Sequence, residues 1–102
     1  MLLDETKFKT PPMVDAVGNT LLEAAAVIEK YGWIQYSFGH IGIGFCACGA
    51  IRKVTPKDDE RTKAINKLSA YLSGPSTISA WNDVGWRTKE EVLAAFRGAA
   101  RT

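Results

Sequence analysis

Two cysteines and a single histidine are the side chains of this sequence best suited to metal or thiol chemistry. Cys46 and Cys48 are separated by one residue, and His40 precedes them. A structural zinc site takes four protein ligands, so an aspartate or another chain would have to supply the fourth. A nucleophilic cysteine needs an exposed thiol in an electropositive pocket, which nothing in the neighbouring sequence predicts. We therefore interpret both cysteines as reduced, buried core residues, and we expect neither a metal site nor a catalytic nucleophile here.

A glycine-rich run beside these residues is the second candidate for chemistry. The spacing Gly39-x-x-Gly42-x-Gly44 is superficially similar to a phosphate-binding loop. A Walker loop, however, ends in Gly-Lys-Ser/Thr before a helix, and the dinucleotide fingerprint needs a strand on one side and a helix on the other. Neither pattern is present, so we interpret the three residues as glycines of turns and close packing. The sequence therefore predicts no cofactor and no enzymatic activity.

Four basic residues are the third candidate. Lys53, Lys57 and Arg61 recur every four residues, and Lys67 lies on an adjoining row of the predicted helix. Such a ridge is suited to phosphate contacts with nucleic acid. Acidic residues at positions 58–60 are interleaved with it and reduce the local field. A solvated helix face is the favoured interpretation, and a small nucleic-acid-binding regulator is the alternative function.

Aromatic side chains give the remaining functional signal. Three tryptophans, three tyrosines and four phenylalanines are enough to fill a small core and to leave some rings at the surface. Exposed aromatic rings are common anchors of protein contacts. We expect Trp33 and Trp81 to pack in the core, and Trp86, which follows a glycine, to be exposed. The predicted protein-binding residues are Tyr36, Phe38, Trp86 and Arg87.

The first predicted helix begins at Thr20. Thr20 and Glu23 have the spacing of a capping box, in which each side chain satisfies the backbone N–H of the other residue. Apolar residues then recur at spacings of three and four up to Tyr31, as on the buried face of a helix. Gly32 supplies the left-handed residue that ends the helix.

Two consecutive prolines mark the part of the chain before this helix. Pro11 and Pro12 lack backbone donors and favour extended conformations around them. We therefore predict an N-terminal arm over residues 1–18 and a single helical domain over residues 19–102.

The segment that follows the first helix favours a hairpin and then a second helix. Aromatic residues over 33–38 favour a short strand, with a second strand beginning at Ile41. Small residues favour a buried helix over about 44–54, with basic residues at its C-terminal end. Gly49 within this helix costs about 1 kcal/mol relative to alanine, so we expect a neighbouring helix to approach closely there.

A third helix is predicted to begin at Thr55-Pro56 and to end at Gly74. Threonine can cap a helix, proline loses no hydrogen bond at the first position, and the acidic residues at 58–60 complement the helix dipole. A loop is expected around residues 76–79. The predicted core face of this helix consists of Ala64, Ile65, Leu68, Tyr71 and Leu72.

The C-terminal part of the chain combines a turn and a last helix. Asn82-Asp83 between two tryptophans is typical of a turn held by bonds from side chains to the backbone. Thr88 and Glu91 repeat the capping box and begin the helix. Its predicted inward residues are Val92, Leu93, Ala95, Phe96 and Ala99. The sequence therefore predicts a mainly α fold, a compact bundle of about four helices, with the option of a small β-hairpin between helices 1 and 2.

Several short motifs follow one another in a recognisable order. They lie at residues 22–26, 31–33, 46–51, 81–83 and 87–93. In this order the motifs resemble an uncharacterised family of small proteins encoded by actinobacteria and their bacteriophages, over about residues 20–100. The resemblance implies a short helical protein of phage or bacterial origin, and it assigns no activity to any residue.

Composition and charge bound the remaining function classes. The chain has 102 residues, of which 46% are hydrophobic and 24% charged, as in one ordinary globular domain. Its net charge of +2 is too small to imply a nucleic-acid or membrane partner by electrostatics alone. No apolar run is long enough for a signal peptide or a membrane span, so we expect a protein of the bacterial host cytoplasm.

These observations favour a non-catalytic accessory protein of a phage or its bacterial host. Its expected partner is another protein or a second copy of the chain. Nucleic acid is the alternative partner, and we expect no contact with a membrane.

Overall fold

Five helices and one β-hairpin make up the part of the chain that the structure, a computed structural model, describes: residues 14–72 and 77–102. The predicted mainly α class and the hairpin between the first two helices are both confirmed. Residues 1–13 of the predicted arm lie outside the described residues, and residues 16–18 belong to the first helix. In chain order the elements are α1 (Ala16–Tyr31), β1 (Gly39–His40), β2 (Gly44–Phe45), α2 (Ala47–Val54), α3 (Asp58–Leu72), α4 (Ile78–Asn82) and α5 (Lys89–Ala100).

Helix α1 begins one turn earlier than its sequence predicts. Asp15 is the N-cap, and its carboxylate accepts a hydrogen bond of 2.7 Å from the backbone N–H of Gly18. Thr20, the predicted cap, lies inside the helix and donates to the Ala16 carbonyl at 3.2 Å. The predicted start was wrong because a second capping residue stands upstream of the first. The predicted end is confirmed, since Gly32 adopts a φ of +101° directly after the helix.

The core lies where α1 packs against α2, α3 and α5. Each of these helices contributes fully buried aliphatic or aromatic side chains, and burial of one such side chain stabilises the fold by about 1.5–3 kcal/mol. The largest apolar ones are Leu21, Ile28, Ile51, Leu68, Val92 and Phe96. Trp33 and Trp81 pack against this core as partly buried side chains.

The hairpin is shorter, and lies later in the chain, than predicted. Its antiparallel strands pair Gly39 with Phe45 and His40 with Gly44, so Ile41 lies in the turn between them rather than in a strand. Of the strand predicted over 33–38, one residue, Trp33, pairs with β2 through an isolated bridge. The backbone of that stretch instead contacts the C-terminal part of the chain.

Helix α2 begins at Ala47 rather than near Gly44, because Cys46 caps it. The Cys46 backbone is extended, and its Sγ accepts a hydrogen bond from the N–H of Gly49 at 3.3 Å. A Cβ added to Gly49 would lie only 1.9 Å from the Phe38 carbonyl oxygen. The close neighbour of Gly49 is therefore the backbone that enters the hairpin, and the expectation of a packed helix at this point was wrong.

Helix α3 begins at Asp58, after Thr55 has ended α2. The N–H of Thr55 donates to the Ile51 carbonyl at 3.0 Å, and its hydroxyl donates to Oε1 of Glu60 at 3.0 Å. Thr55 therefore links two helices rather than beginning the second one. The predicted end at Gly74 lies outside the described residues.

The predicted core face of α3 is only partly buried. Ala64 and Leu68 are fully buried, whereas Tyr71 is 44% exposed. The Tyr71 ring lies across Gly98 of α5, where a Cβ would meet its hydroxyl oxygen at 2.3 Å. Tyr71 therefore covers the rim of the interface between α3 and α5 instead of its centre.

The last two helices differ in how well their sequences predict them. Helix α4 occupies part of the predicted loop, with Thr77 as its N-cap and Ile78 buried. The capping box of α5 is confirmed: Thr88 donates its N–H to Oε1 of Glu91 at 2.9 Å, and the Glu91 N–H donates to Oγ1 of Thr88 at 3.2 Å. All five predicted inward residues of α5 are buried.

Candidate protein-binding surface

A buried asparagine fixes the position of the exposed region around the hairpin. Asn82 is completely buried, and its amide makes four hydrogen bonds. Its Oδ1 accepts from Nε1 of Trp33 at 2.7 Å and from the N–H of Ala47 at 2.9 Å. Its Nδ2 donates to the Ile34 carbonyl at 3.1 Å and to Oδ1 of Asp83 at 2.9 Å. Every donor and acceptor of the amide is therefore satisfied, and α4 is joined to the start of α2 and to the segment before the hairpin.

The next two residues of that segment are held in the same way. Nε2 of Gln35 donates to the carbonyls of Asn82 at 3.1 Å and Val84 at 2.8 Å. Tyr36 donates its N–H to Oδ1 of Asp83 at 2.9 Å and its hydroxyl to the Asp83 carbonyl at 3.1 Å. Tyr36 has a φ of +69°, a conformation that costs a non-glycine residue energy and persists when surrounding bonds fix it. These bonds fix the direction in which the chain enters the hairpin.

This segment and the hairpin that follows it expose four large apolar side chains, which we name the hairpin patch. The exposed fractions are 74% for Tyr36, 53% for Phe38, 57% for Ile41 and 51% for Ile43. Tyr36 and Phe38, two of the predicted protein-binding residues, therefore lie at the surface. The two isoleucines were not predicted as surface residues, although the sequence contains a signal: positions 31–51 include no Lys, Arg, Asp or Glu.

One cation and one carboxylate border the hairpin patch. The guanidinium carbon of Arg52 lies 4.8 Å from the centre of the Phe38 ring, within the range of a cation–π contact. Asp83 accepts the backbone N–H of Tyr36 at 2.9 Å. The patch itself therefore contains no Lys, Arg, Asp or Glu, and it has a guanidinium beside the Phe38 ring and a carboxylate beside the Tyr36 backbone.

Trp86 and Arg87 form a second exposed feature, two residues after the Gln35 contact with Val84. Trp86 is 72% exposed, as predicted. The Arg87 side chain is only 11% exposed, and its guanidinium lies 4.8 Å from the Trp86 ring and 4.3 Å from the Trp81 ring. Its Nε also donates to the Trp81 carbonyl at 3.0 Å. Arg87 therefore packs against the Trp86 ring and is itself largely buried. The Trp86 indole is the part of this pair that a partner could contact.

The two cysteines have structural contacts. Cys46 is buried, and burial raises the pKa of its thiol above the usual value. Cys48 is half-buried, and its sulfur accepts a hydrogen bond from Oγ of Ser79 at 3.5 Å. Cys46 also lines an open cleft of about 530 Å³, together with Tyr36 and Phe38 of the hairpin patch. A thiol with a raised pKa stays protonated at neutral pH. Cys46 therefore lines this cleft as a neutral thiol rather than as a thiolate.

His40 is exposed in β1, and its Nδ1 accepts the N–H of Gly42 at 3.2 Å. This hydrogen bond stabilises the hairpin turn. Within residues 14–72 and 77–102, no three histidine, cysteine, aspartate or glutamate side chains are grouped as metal ligands would be.

The four basic residues of the alternative site do not share one helix. Lys53 lies in α2, Lys57 lies in the connection, and Arg61 and Lys67 lie in α3. The four-residue spacing of Lys53, Lys57 and Arg61 therefore does not continue around one helix axis, because α2 ends before α3 begins. Within α3 the six-residue separation of Arg61 and Lys67 places them about 120° apart around the axis.

The two basic residues in α3 also have intramolecular partners. Arg61 forms an ion pair with Asp58 and donates to the Pro56 carbonyl at 2.9 Å. Lys67 donates from Nζ to the Thr102 carbonyl at 3.4 Å. Contacts with phosphate would compete with these interactions.

The structure thus defines a small, mainly helical domain that presents an uncharged hairpin at its surface. The chain belongs to DUF6197, a family of unknown function, which matches residues 13–102. The expected membership of an uncharacterised family is confirmed, and the match begins before residue 20. The search of curated proteins and the search of solved structures each returned no match. In the described part of the chain, no helix is long and apolar enough to cross a membrane.

Proposed function

We propose that the protein is a non-catalytic binding module that contacts another protein molecule, either a different protein or a second copy of this chain, through the hairpin patch, with Trp86 as an additional anchor. The observation that carries this proposal is the exposure of four large apolar side chains within eight uncharged residues. Interface centres are enriched in aromatic residues and depleted of charged ones, which is the composition of this segment.

The hydrogen bonds around the patch support the same function. Gln35 and Tyr36 are bonded to residues 82–84, and Cys46 donates its N–H to the Phe38 carbonyl at 3.4 Å. A surface that is already ordered loses less conformational entropy when a partner binds. The patch is thus suited to binding without rearrangement.

The environment of Cys46 supports a non-catalytic role for the adjoining cleft. Burial raises the pKa of the Cys46 thiol, and this effect exceeds the opposite effect of the Gly49 N–H that the sulfur accepts at the start of α2. On the family resemblance, we place the protein among the accessory proteins of a phage or its bacterial host, acting in the cytoplasm of that cell. Nucleic-acid binding is the weaker proposal because Arg61 and Lys67 are engaged within the chain.

Site-specific crosslinking in cells tests this proposal. A photoreactive phenylalanine analogue replaces Phe38 in one variant and Ala94, an exposed residue of α5, in a matched control. We expect position 38 to form a discrete crosslinked product with a protein chain and position 94 to form none. Equal products at both positions, or a crosslink from position 38 only within the same molecule, with no product heavier than one chain of 11.1 kDa, would contradict binding through the hairpin patch.

A further inference from the structure

We infer that the hairpin patch binds the same patch on a second copy of this chain. This inference rests on the proposed function and names its partner. A symmetric pair of identical proteins uses one surface twice, so that a residue i meets a residue j and j meets i.

The absence of charge within the patch favours such pairing. Across a two-fold axis, a charged side chain near the axis approaches its own copy, and like charges in contact are destabilising. Positions 31–51 contain no Lys, Arg, Asp or Glu. Tyr36, Phe38, Ile41 and Ile43 can therefore meet their copies without this penalty.

The charges that border the patch are complementary under the same symmetry. Arg52 lies against Phe38, and Asp83 lies against Tyr36. When Phe38 of one copy faces Tyr36 of the other, Arg52 is brought towards Asp83 of the second copy, and the symmetric contact repeats this once more. Two opposite-charge contacts then flank an apolar centre, which is the usual arrangement of a specific interface.

The size of the patch predicts a weak, reversible dimer. With about 200 Å² for a fully exposed large side chain, the four residues offer on the order of 500 Å² in each copy. Two copies together would bury about 1,000 Å², at the lower limit of specific protein interfaces. We therefore expect a dissociation constant in the micromolar range or weaker.

Sedimentation of the full chain over about 1 µM to 1 mM tests this inference. The wild type is compared with Ile41→Glu/Ile43→Glu, with Arg52→Glu, and with the control Ala94→Glu, which adds a charge on exposed α5. We expect the average mass of the wild type to rise from 11.1 kDa towards twice that value. The double variant should stay monomeric, Arg52→Glu should raise the dissociation constant roughly tenfold, and the control should behave as the wild type.

A second measurement needs no substitution. Backbone amide shifts of residues 36–43 should change with the concentration of the wild-type protein, while those of α5 should not. A wild type that stays at 11.1 kDa over the whole range, or a mass increase that the double variant keeps, would overturn the inference. If position 38 nevertheless crosslinks to a different protein, the proposed binding function stands and only the identity of the partner is wrong.

Discussion

At the scale of single residues, the fully buried Asn82 side chain makes four hydrogen bonds, which an apolar core side chain cannot do. Its amide oxygen accepts the partly buried Trp33 indole N–H and the buried Ala47 backbone N–H. Removal of this one side chain leaves both N–H groups without their acceptor, and an unsatisfied buried donor costs about 1–3 kcal/mol. The same reasoning explains why Asn82 could not be assigned this role from sequence: its partners lie 35 and 49 residues away.

Asn82→Ala should therefore lower the free energy of unfolding by about 2–4 kcal/mol. Urea denaturation followed by circular dichroism measures this change. The matched control is Asn66→Ala, since Asn66 is an exposed residue of α3, and its effect should stay within about 0.5 kcal/mol. Equal effects of the two substitutions would refute the central role of the Asn82 amide.

Cys46 gives a pH-dependent prediction. Burial raises the pKa of its thiol above 9.0, so the folded state holds this proton more tightly than the unfolded state does. The resulting stabilisation is complete below the unfolded pKa and is lost as the pH rises through the folded pKa. The thermal stability of the wild type should thus fall more between pH 8 and pH 10 than that of Cys46→Ser.

Serine is the appropriate comparison because its hydroxyl can replace Sγ as the acceptor at the start of α2 and does not ionise in this range. The other titrating groups are common to both proteins, so the difference between their pH profiles isolates Cys46. Parallel profiles would show that the thiol does not titrate differently in the folded state.

At the scale of elements, local signals were sufficient where one cap stood alone. The Thr88 capping box predicted the start of α5, and the spacing of apolar residues predicted its buried face. The start of α1 was missed because Asp15 and Thr20 both fit the pattern, and the packing of the extra turn decides between them. The hairpin boundaries depend on contacts with residues 82–84, which no local pattern encodes.

Gly49→Ala tests how closely the hairpin approaches α2. The added Cβ would lie 1.9 Å from the Phe38 carbonyl oxygen, so the backbone must move. We expect a net loss of about 1–3 kcal/mol despite the better helix propensity of alanine. Gly85→Ala is the control, because a Cβ there has no neighbour within 4 Å. Both are measured by denaturant unfolding, and a stabilised Gly49→Ala would show that the hairpin is not packed on this helix as described.

At the scale of the whole molecule, charge distinguishes the behaviour expected of the two proposed partners. A net charge of +2 is small, and the basic residues of the alternative site are divided between α2, the connection and α3. Phosphate binding draws its affinity from clustered cations and weakens steeply as salt rises. The hairpin patch, in contrast, contains no cation of its own, so salt should weaken its contacts only through the bordering Arg52 and Asp83, far less than it weakens phosphate binding.

The chain should therefore bind neither single-stranded nor double-stranded DNA at about 50 mM salt, a concentration at which phosphate contacts remain strong. Fluorescence anisotropy of labelled oligonucleotides measures this directly. Should binding appear, Lys53→Glu/Lys57→Glu identifies its origin, because both side chains are exposed and lie outside the core. Binding that this variant loses, and that weakens steeply between 50 and 200 mM salt, would establish the nucleic-acid function in place of protein binding. Dimerisation that persists over the same range of salt would instead be the behaviour expected of an uncharged surface.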